Sequence, residues 1–460
     1  MTSSETPRSL PTLARHLGLW ALVLYGIGDM LGSGIYALLG KAAGLMGNAV
    51  WLAFLVSMIA AVLTALSYAC LGSRYPRAAG AAYITQRAFG HPALSYFIGL
   101  MVMASGLTSM ATQSRAFSEY FSVFVGDVPR AVLVLGFILV LTAVNFWGIR
   151  ESAWLNAVCT AVEVSGLLII VGVGWRFWGS VNYLEPAAPA PGAALLALSP
   201  VLVLQGAVLT FYSFIGFEDM INVVEEVKDP RRTFPRAIVI AMACVTVLYI
   251  AVAVTAVSVV PHGVLAASKE PLVEVVRRAA PAFPPIIFSG IALFAITNTA
   301  LLNYVMGSRL AYGMARQGLL PSYLQAIHPR RFTPHLAILT LMAIVLILGV
   351  TVNITPLAKA TSVLLMTVFV VINGALIVLK HRPGEAKGHF EVPTFVPVGG
   401  ILISGLLLAH AKLPEIKVAV VLLLVIGVLY FFIRPRAVTE DTFAQAEEDA
   451  GGLEAARREE

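Results

Sequence analysis

Residues 17–44 read LGLWALVLYGIGDMLGSGIYALLGKAAG. The stretch is apolar and longer than the ~20 residues that a helix needs to cross a bilayer. Within it, Gly26, Gly28, Gly32, Gly34 and Asp29 crowd into ten residues. Glycine's backbone freedom makes such a run a poor continuous helix. Gly32-Ser33-Gly34 begins fifteen residues in from Leu17, about 22 Å along a helix rising ~1.5 Å per residue. That is just past the middle of a ~30 Å hydrocarbon core, where irregular backbone is tolerated only if it lines a cavity.

The rest of the chain belongs in the same solvent. Of 460 residues, 58% are hydrophobic and 12% charged, and the mean hydropathy is +0.85; a soluble domain carries roughly 25% charged residues. Apolar stretches of spanning length recur twelve times, at 17–44, 48–73, 91–118, 129–148, 152–175, 197–224, 235–260, 283–308, 335–356, 358–379, 394–411 and 415–433. Closed backbone hydrogen bonding in lipid makes them helices, because no barrel-like alternation is present. The expected fold is therefore all-α and integral to the membrane, with twelve transmembrane helices. Cys70, Cys159 and Cys244 lie within apolar stretches and read as buried packing residues, without disulfide or metal spacing.

An even number of spans puts both termini on one side. That side holds 21 of the 31 Lys and Arg residues and the other side 10, so the termini are expected in the cytoplasm of a cell whose plasma (inner) membrane holds the chain. The polar first sixteen residues run directly into a span, so no cleavable signal is expected. The segment 74–90 reads as a short interfacial element. Residues 262–281, outside, hold a surface helix around Glu274 to Arg278. The division is an N-terminal tail 1–16, a first half 17–175, an outer loop 176–196, a second half 197–380, two further spans over 394–433 and a mobile charged tail 434–460.

A second interruption, Tyr212-Ser213-Phe214-Ile215-Gly216-Phe217-Glu218, lies in span 6. Counted from Leu198, Ser213 is also fifteen residues deep, and spans 1 and 6 run in opposite directions. Matching breaks five spans apart suggest an inverted repeat of spans 1–5 and 6–10. The helix N-terminus beginning after Gly34 offers free N–H groups to a carboxylate. Carbonyls released in span 6 suit an ammonium group. Together they form a receptor for a zwitterion that needs no dedicated charged side chain. An isolated GxG serves close helix packing more often than ligand binding; the matching break favours binding.

At these residues the chain resembles the amino acid–polyamine–organocation transporters. Gly32-Ser33-Gly34-Ile35 is similar to that family's first-helix motif. The run FYSFIGFEDMINVVEEVKDPRRTFPRAI (211–238) is similar to its sixth helix and following loop, SRLAYGMARQGLLP (308–321) to its span 8–9 connection, and 75–90 to its span 2–3 loop. The resemblance covers roughly 17–435. It implies a LeuT-like fold, a 5+5 inverted repeat plus two peripheral helices, that works by alternating access. By position, Gly32, Ser33, Gly34 and Ile35 would meet the substrate carboxylate, and Phe211, Tyr212, Ser213, Phe214, Ile215 and Gly216 would surround its amino group, with Tyr212 as an aromatic lid or an ordinary packing residue.

Ionisable groups deep in spans are costly and usually functional, and Asp29, Glu163 and Glu218 stand out. Glu163 lies twelve residues past Glu151, ~18 Å into the membrane at helical rise, where some relatives carry a lysine that stands in for a sodium ion. Desolvation disfavours a charged carboxylate there, which makes a proton-binding switch the leading reading; a permanently protonated structural acid is the alternative. Glu218 matches an acidic position common in the family and reads as gating or proton-linked. Asp29 is not part of the motif; substrate contact, a cation site shared with Glu163, and a structural hydrogen bond stay open.

The expected function is uptake of amino acids or related small amines, driven by protons, with exchange and sodium coupling as alternatives. No cofactor, metal or nucleic acid is expected; the partners are substrate, proton and lipid bilayer. The eight histidines sit mostly at loops and span ends, and no HExxH, GxSxG or Walker-type sequence occurs, so an enzyme is disfavoured. A receptor or scaffold would need a larger soluble domain than the tail supplies, and a channel fits broken helices and buried acids less well.

Overall fold

The computed structural model describes residue 13 and residues 15–435, except 79, 127, 188–197, 269, 352–353, 386, 411–412 and 434. Most of both proposed tails and the second half of the outer loop lie outside the described residues. Sixteen α-helices are described: α1 (Leu19–Leu31), α2 (Ser33–Met46), α3 (Val50–Arg74), α4 (Gly80–Phe89), α5 (Pro92–Val125), α6 (Arg130–Trp147), α7 (Ile149–Gly174), α8 (Pro200–Phe211), α9 (Pro230–Val259), α10 (His262–Ala267), α11 (Pro271–Ala279), α12 (Pro285–Arg316), α13 (His335–Thr351), α14 (Ile354–His381), α15 (Phe395–Ala409) and α16 (Leu413–Ile433). Among the described residues, nine helical segments are long and apolar enough to cross a membrane, and three shorter apolar helices join them. Each of the twelve expected spans falls on one of these. Spans 3 and 8 run further than expected, to Val125 and Arg316; most of the residues added to span 8 are buried, whereas Phe124 and Val125 at the end of span 3 are exposed.

Both interruptions are present. Span 1 divides at Gly32 into α1 and α2. In span 6, α8 tightens into a 3₁₀ turn, Tyr212–Phe214, passes through extended Ile215 and left-handed Gly216, and resumes as a 3₁₀ segment, Phe217–Glu226. The most extensive helix pairings are span 2 with span 7 (α3 with α9) and span 3 with span 8 (α5 with α12), the contacts a two-fold relation between spans 1–5 and 6–10 produces.

Without a hydrophobic drive between helices in lipid, close packing and interhelical hydrogen bonds hold them together. The buried face of α3 carries Ala53, Ser57, Ala60, Ala61, Thr64 and Ala65, small enough for neighbours to approach. Ser57 also donates to the Ala207 carbonyl of α8 at 2.9 Å. Trp147, Trp154, Trp175 and Trp178 stay exposed at span ends, where amphipathic rings suit the membrane interface.

Two expectations need correction. The segment 74–90 forms α4, but Gly80–Gln86 are buried against α5 and α14 rather than lying on the surface, because Ala81, Ala82 and Ile84 offer an apolar face that the bundle covers. Cys244 is exposed, on a groove that it lines together with Thr160, Ala161 and Val164 of α7. The expected surface helix around Glu274 to Arg278 is α11, where Glu274 pairs with Arg277 at 2.9 Å and Arg278 at 3.3 Å.

Candidate functional site

The two breaks meet. A Cβ added to Gly216 would lie 2.8 Å from the carbonyl carbon of Asp29, and one on Gly34 would lie 3.0 Å from the Cα of Ser213. Backbone therefore touches backbone, which only glycine allows. Gly216 has φ +128°, a conformation costly for any other residue. The Glu218 carboxylate accepts the Gly216 N–H at 2.9 Å and ties the turn to its own side chain.

The carbonyls that the breaks release converge on one hydroxyl. Tyr249 of α9 lies 2.5 Å from the Met30 carbonyl and 2.9 Å from the Ser213 carbonyl. One hydroxyl proton satisfies one of them at a time, so the other retains acceptor capacity.

Between the breaks lies a polar cavity of about 50 Å³, bordered by Asp29, Met30, Gly32, Gly34, Tyr212, Ile215, Gly216, Glu218 and Asp219. At ~10–15 Å³ per water it has room for a few water molecules. Its far wall comes from α5 (Ser105, Ser109, Gln113) and α12 (Thr299, Asn303).

Of the expected contact residues, Gly32, Gly34, Tyr212, Ile215 and Gly216 border this cavity. The Ser33 side chain lies outside the described residues. Ile35, Phe211 and Phe214 are buried but do not border it: Phe211 packs edge-on against Phe369 at 6.1 Å, and Phe214 joins Phe54 and Tyr249. The Ser213 hydroxyl is buried and has no hydrogen-bond partner among the described residues. Three carboxyl groups, those of Asp29, Glu218 and Asp219, also border the cavity, and Asp29 and Asp219 are hydrogen-bonded to each other.

Glu163 stands apart. It is fully buried on α7 with one oxygen 3.4 Å from the amide of Asn298, which also donates to Thr160 at 3.0 Å. Thr160 in turn lies 3.1 Å from Asn156 Oδ1 and 3.3 Å from the Leu24 carbonyl. Gly28 lets α1 sit against this cluster, since a side chain there would strike Thr160, Asn298 and Asn156. Among the described residues, the second Glu163 oxygen has no hydrogen-bond partner.

Two further acids are buried, Asp219 and Glu226, and nothing in the run 211–238 sets them apart from Glu225 and Asp229 beside them. Glu226 forms a fully buried pair with Arg309 of α12, at 3.1 and 3.4 Å, while Arg309 also donates to Asn145 and to Ser308 at 2.9 Å. Beside it, Leu17 N–H donates to the Glu226 carbonyl at 2.9 Å and Lys228 N–H to the Leu17 carbonyl at 2.8 Å. These bonds seal α1, span 6 and α12 together on the side of the termini. The polar positions of α5 had a sequence signal, spacing at i, i+4 and i+8 in an apolar helix, which places them on one face.

A multi-pass helical bundle whose two discontinuous helices meet at a polar cavity defines a membrane transporter of small molecules. Comparison with known proteins agrees. The family model for amino acid permeases matches residues 17–444. An uncharacterised transporter of Mycobacterium tuberculosis is 32% identical over 416 residues, 90% of each chain. A branched-chain amino acid permease of Bacillus subtilis is 26% identical over 92% of this chain and 94% of its own, and a methylthioribose transporter of the same bacterium is 28% identical over 92% and 94%. The chain belongs to the amino acid permease family; it is a multi-pass membrane transporter of amino acids or related compounds, not an enzyme.

Proposed function

We propose that the protein takes up amino acids or related small amines together with protons, by alternating access, and binds its cargo between the broken helices of spans 1 and 6. The observation that carries this reading is the meeting of the two breaks at one polar cavity. The N-terminus of α2 turns its unpaired N–H groups and positive dipole end toward a carboxylate. The Met30 and Ser213 carbonyls, only half satisfied by Tyr249, suit an ammonium group. The cavity is walled by spans 1, 3, 6 and 8, so alternating access in this reading has those helices move against one another. The bonds joining Leu17, Glu226 and Arg309 are what must part to open the side of the termini, which the excess of Lys and Arg there assigns to the cytoplasm.

Glu163 is the proton carrier in this reading. Its free oxygen, full burial and contact with a network reaching the Leu24 carbonyl of α1 link its protonation to the position of the broken helix. The test is uptake of labelled amino acids into proteoliposomes under imposed gradients. Accumulation driven by an inward proton gradient and lost in Glu163→Gln supports the proposal; a Glu163→Gln protein that still accumulates substrate on the proton gradient sinks it. Uptake that requires preloaded amino acid identifies exchange, and dependence on sodium assigns the Glu163 cluster to a metal cation.

A further inference from the structure

We propose that the protein holds an anionic phospholipid against α9, with the phosphate on Arg232 and Arg236 and one acyl chain in the groove that α9 forms with α1 and α7. The run after the second break, 227–238, borders no part of the polar cavity. It carries Lys228, Arg231, Arg232 and Arg236, all exposed on the side of the termini. Other cations on that side are spent on carboxylates: Arg74 and Lys380 pair with Glu391, and Arg87 and Arg382 with Glu385. Among the described residues, none of the four in this run forms an ion pair. Asp229, the acid beside them in sequence, contributes its backbone carbonyl, which accepts the N–H groups of Arg232 and Thr233.

The helix joins these cations to an apolar groove. At about 100° per residue, Arg232, Arg236, Ala243 and Val247 fall within about 60° of arc on α9, and all four are exposed. That stripe runs into a groove of about 780 Å³ between α1 (Leu24, Ile27), α7 and α9, as large as a small-molecule site at roughly 300–1,000 Å³. Its walls are aliphatic apart from Cys244 and Thr160, and the Thr160 hydroxyl is already engaged by the Leu24 carbonyl and Asn298. Such walls offer a polar occupant nothing for its lost hydration and suit a hydrocarbon chain. Leu168 and Val247, which line the groove, are 55% and 70% exposed, so it is continuous with the apolar surface that lipid covers.

The dimensions fit one molecule that uses both features. Ala243 and Val247 lie seven and eleven residues past Arg236, about 10 and 16 Å at helical rise. Half of a ~30 Å hydrocarbon core is about 15 Å. A lipid with its phosphate at Arg236 therefore lays the chain of its own leaflet along Cys244 and ends it near Val247. Charge selects the head group, because uncompensated Lys and Arg at the membrane surface favour an anionic lipid over a zwitterionic one. The acidic chain end 437–460, with eight Asp and Glu against two Arg, matches the arginines in charge but has no apolar run to fill the groove.

Cys244 reads the groove without any substitution, because Cys70 and Cys159 are buried and Cys244 is exposed. In the full-length protein, purified in detergent and washed free of lipid, N-ethylmaleimide should modify Cys244 about tenfold more slowly once phosphatidylglycerol reaches about ten times its dissociation constant, since only the unoccupied fraction reacts. Phosphatidylcholine and sn-glycerol 3-phosphate should leave the rate unchanged, the first lacking net charge and the second lacking chains. Arg232→Gln and Arg236→Gln should each raise the phosphatidylglycerol needed for half-protection by about fivefold, the worth of one cation beside an anionic head group. Both variants should keep the lipid-free rate, which controls for folding. Native mass spectrometry reads the same site independently: the wild type should retain a bound phosphatidylglycerol that the double variant loses. Equal protection by phosphatidylcholine, protection unaltered in both variants, or lipid retained equally by the double variant would overturn the site. If phosphatidylglycerol gives no protection and deletion of 437–460 exposes Arg232 and Arg236 to phenylglyoxal, the acidic chain end is the occupant and the proposal fails.

Discussion

Gly216 shows how much rests on a missing side chain. Its φ of +128° and its approach to the Asp29 backbone leave no place for a methyl group. Gly216→Ala is expected to carry ~1–3 kcal/mol of backbone strain in addition to the clash, and to abolish uptake even where the protein is still inserted and folded. Near-normal transport by this variant would mean that the breaks do not need to touch. Tyr249 is the polar counterpart. Tyr249→Phe keeps the ring packing against Phe54 and Phe214 but strips the donor from two carbonyls. A cost of ~1–3 kcal/mol is expected for acceptors left buried and unpaired, read as a lower unfolding midpoint in detergent. Because substrate ammonium would replace that donor, saturating substrate should restore part of the loss; an unchanged midpoint would show that water reaches both carbonyls.

Among elements, the joint between span 6 and α12 is the most committed. Glu226 and Arg309 are both fully buried, and each oxygen of the carboxylate meets the guanidinium. Removing one partner strands the other, so Glu226→Ala is expected to destabilise by ~3–5 kcal/mol, whereas Glu226→Met combined with Arg309→Met should recover much of it. In thermal unfolding, a double variant no better than Glu226→Ala would show that the pair holds a neighbour in place rather than mainly balancing its own charge. The same double variant should also raise the exposure of the terminus-side pathway to thiol or amine labelling reagents, since it removes the side-chain part of the seal while leaving the Leu17 backbone bonds.

Across the whole molecule, the segment between α14 and α15 ties distant spans together at one surface. Partial burial pushes the Glu391 carboxyl up, but hydrogen bonds from Arg74, the Gly388 N–H and Lys380 outweigh it and hold it at about 2, against an ordinary 4.5. Glu385 is likewise held low: burial opposes, while Tyr75 and Arg87 prevail. A carboxyl lowered in the folded state stabilises fully above its unfolded value and loses that contribution as pH falls toward its folded value. Unfolding in detergent should therefore show stability declining between about pH 4.5 and 2. Glu391→Gln should lower the midpoint at neutral pH and flatten that decline, and an identical pH profile in the variant would assign the acid sensitivity elsewhere.

The sequence by itself determined the membrane class, the helical spans and the place of both breaks, because lipid demands runs of apolar residues and closed backbone hydrogen bonds, and glycine clusters are legible against them. It also marked Asp29, Glu163 and Glu218, whose charge stands out in apolar runs. It did not distinguish Ile35, Phe211 and Phe214, which pack into the core, from their neighbours at the cavity, since which side of a helix end or short 3₁₀ turn meets the cavity depends on how the two broken helices pack against each other. Nor did it reveal the burial of Glu226, which reads as a loop residue until Arg309, eighty-three positions away, supplies its partner. Asp29 meeting Asp219, Gly216 meeting Asp29 and Tyr249 bridging two carbonyls were decided only by tertiary structure, because each is a contact between helices that the chain brings together from opposite halves.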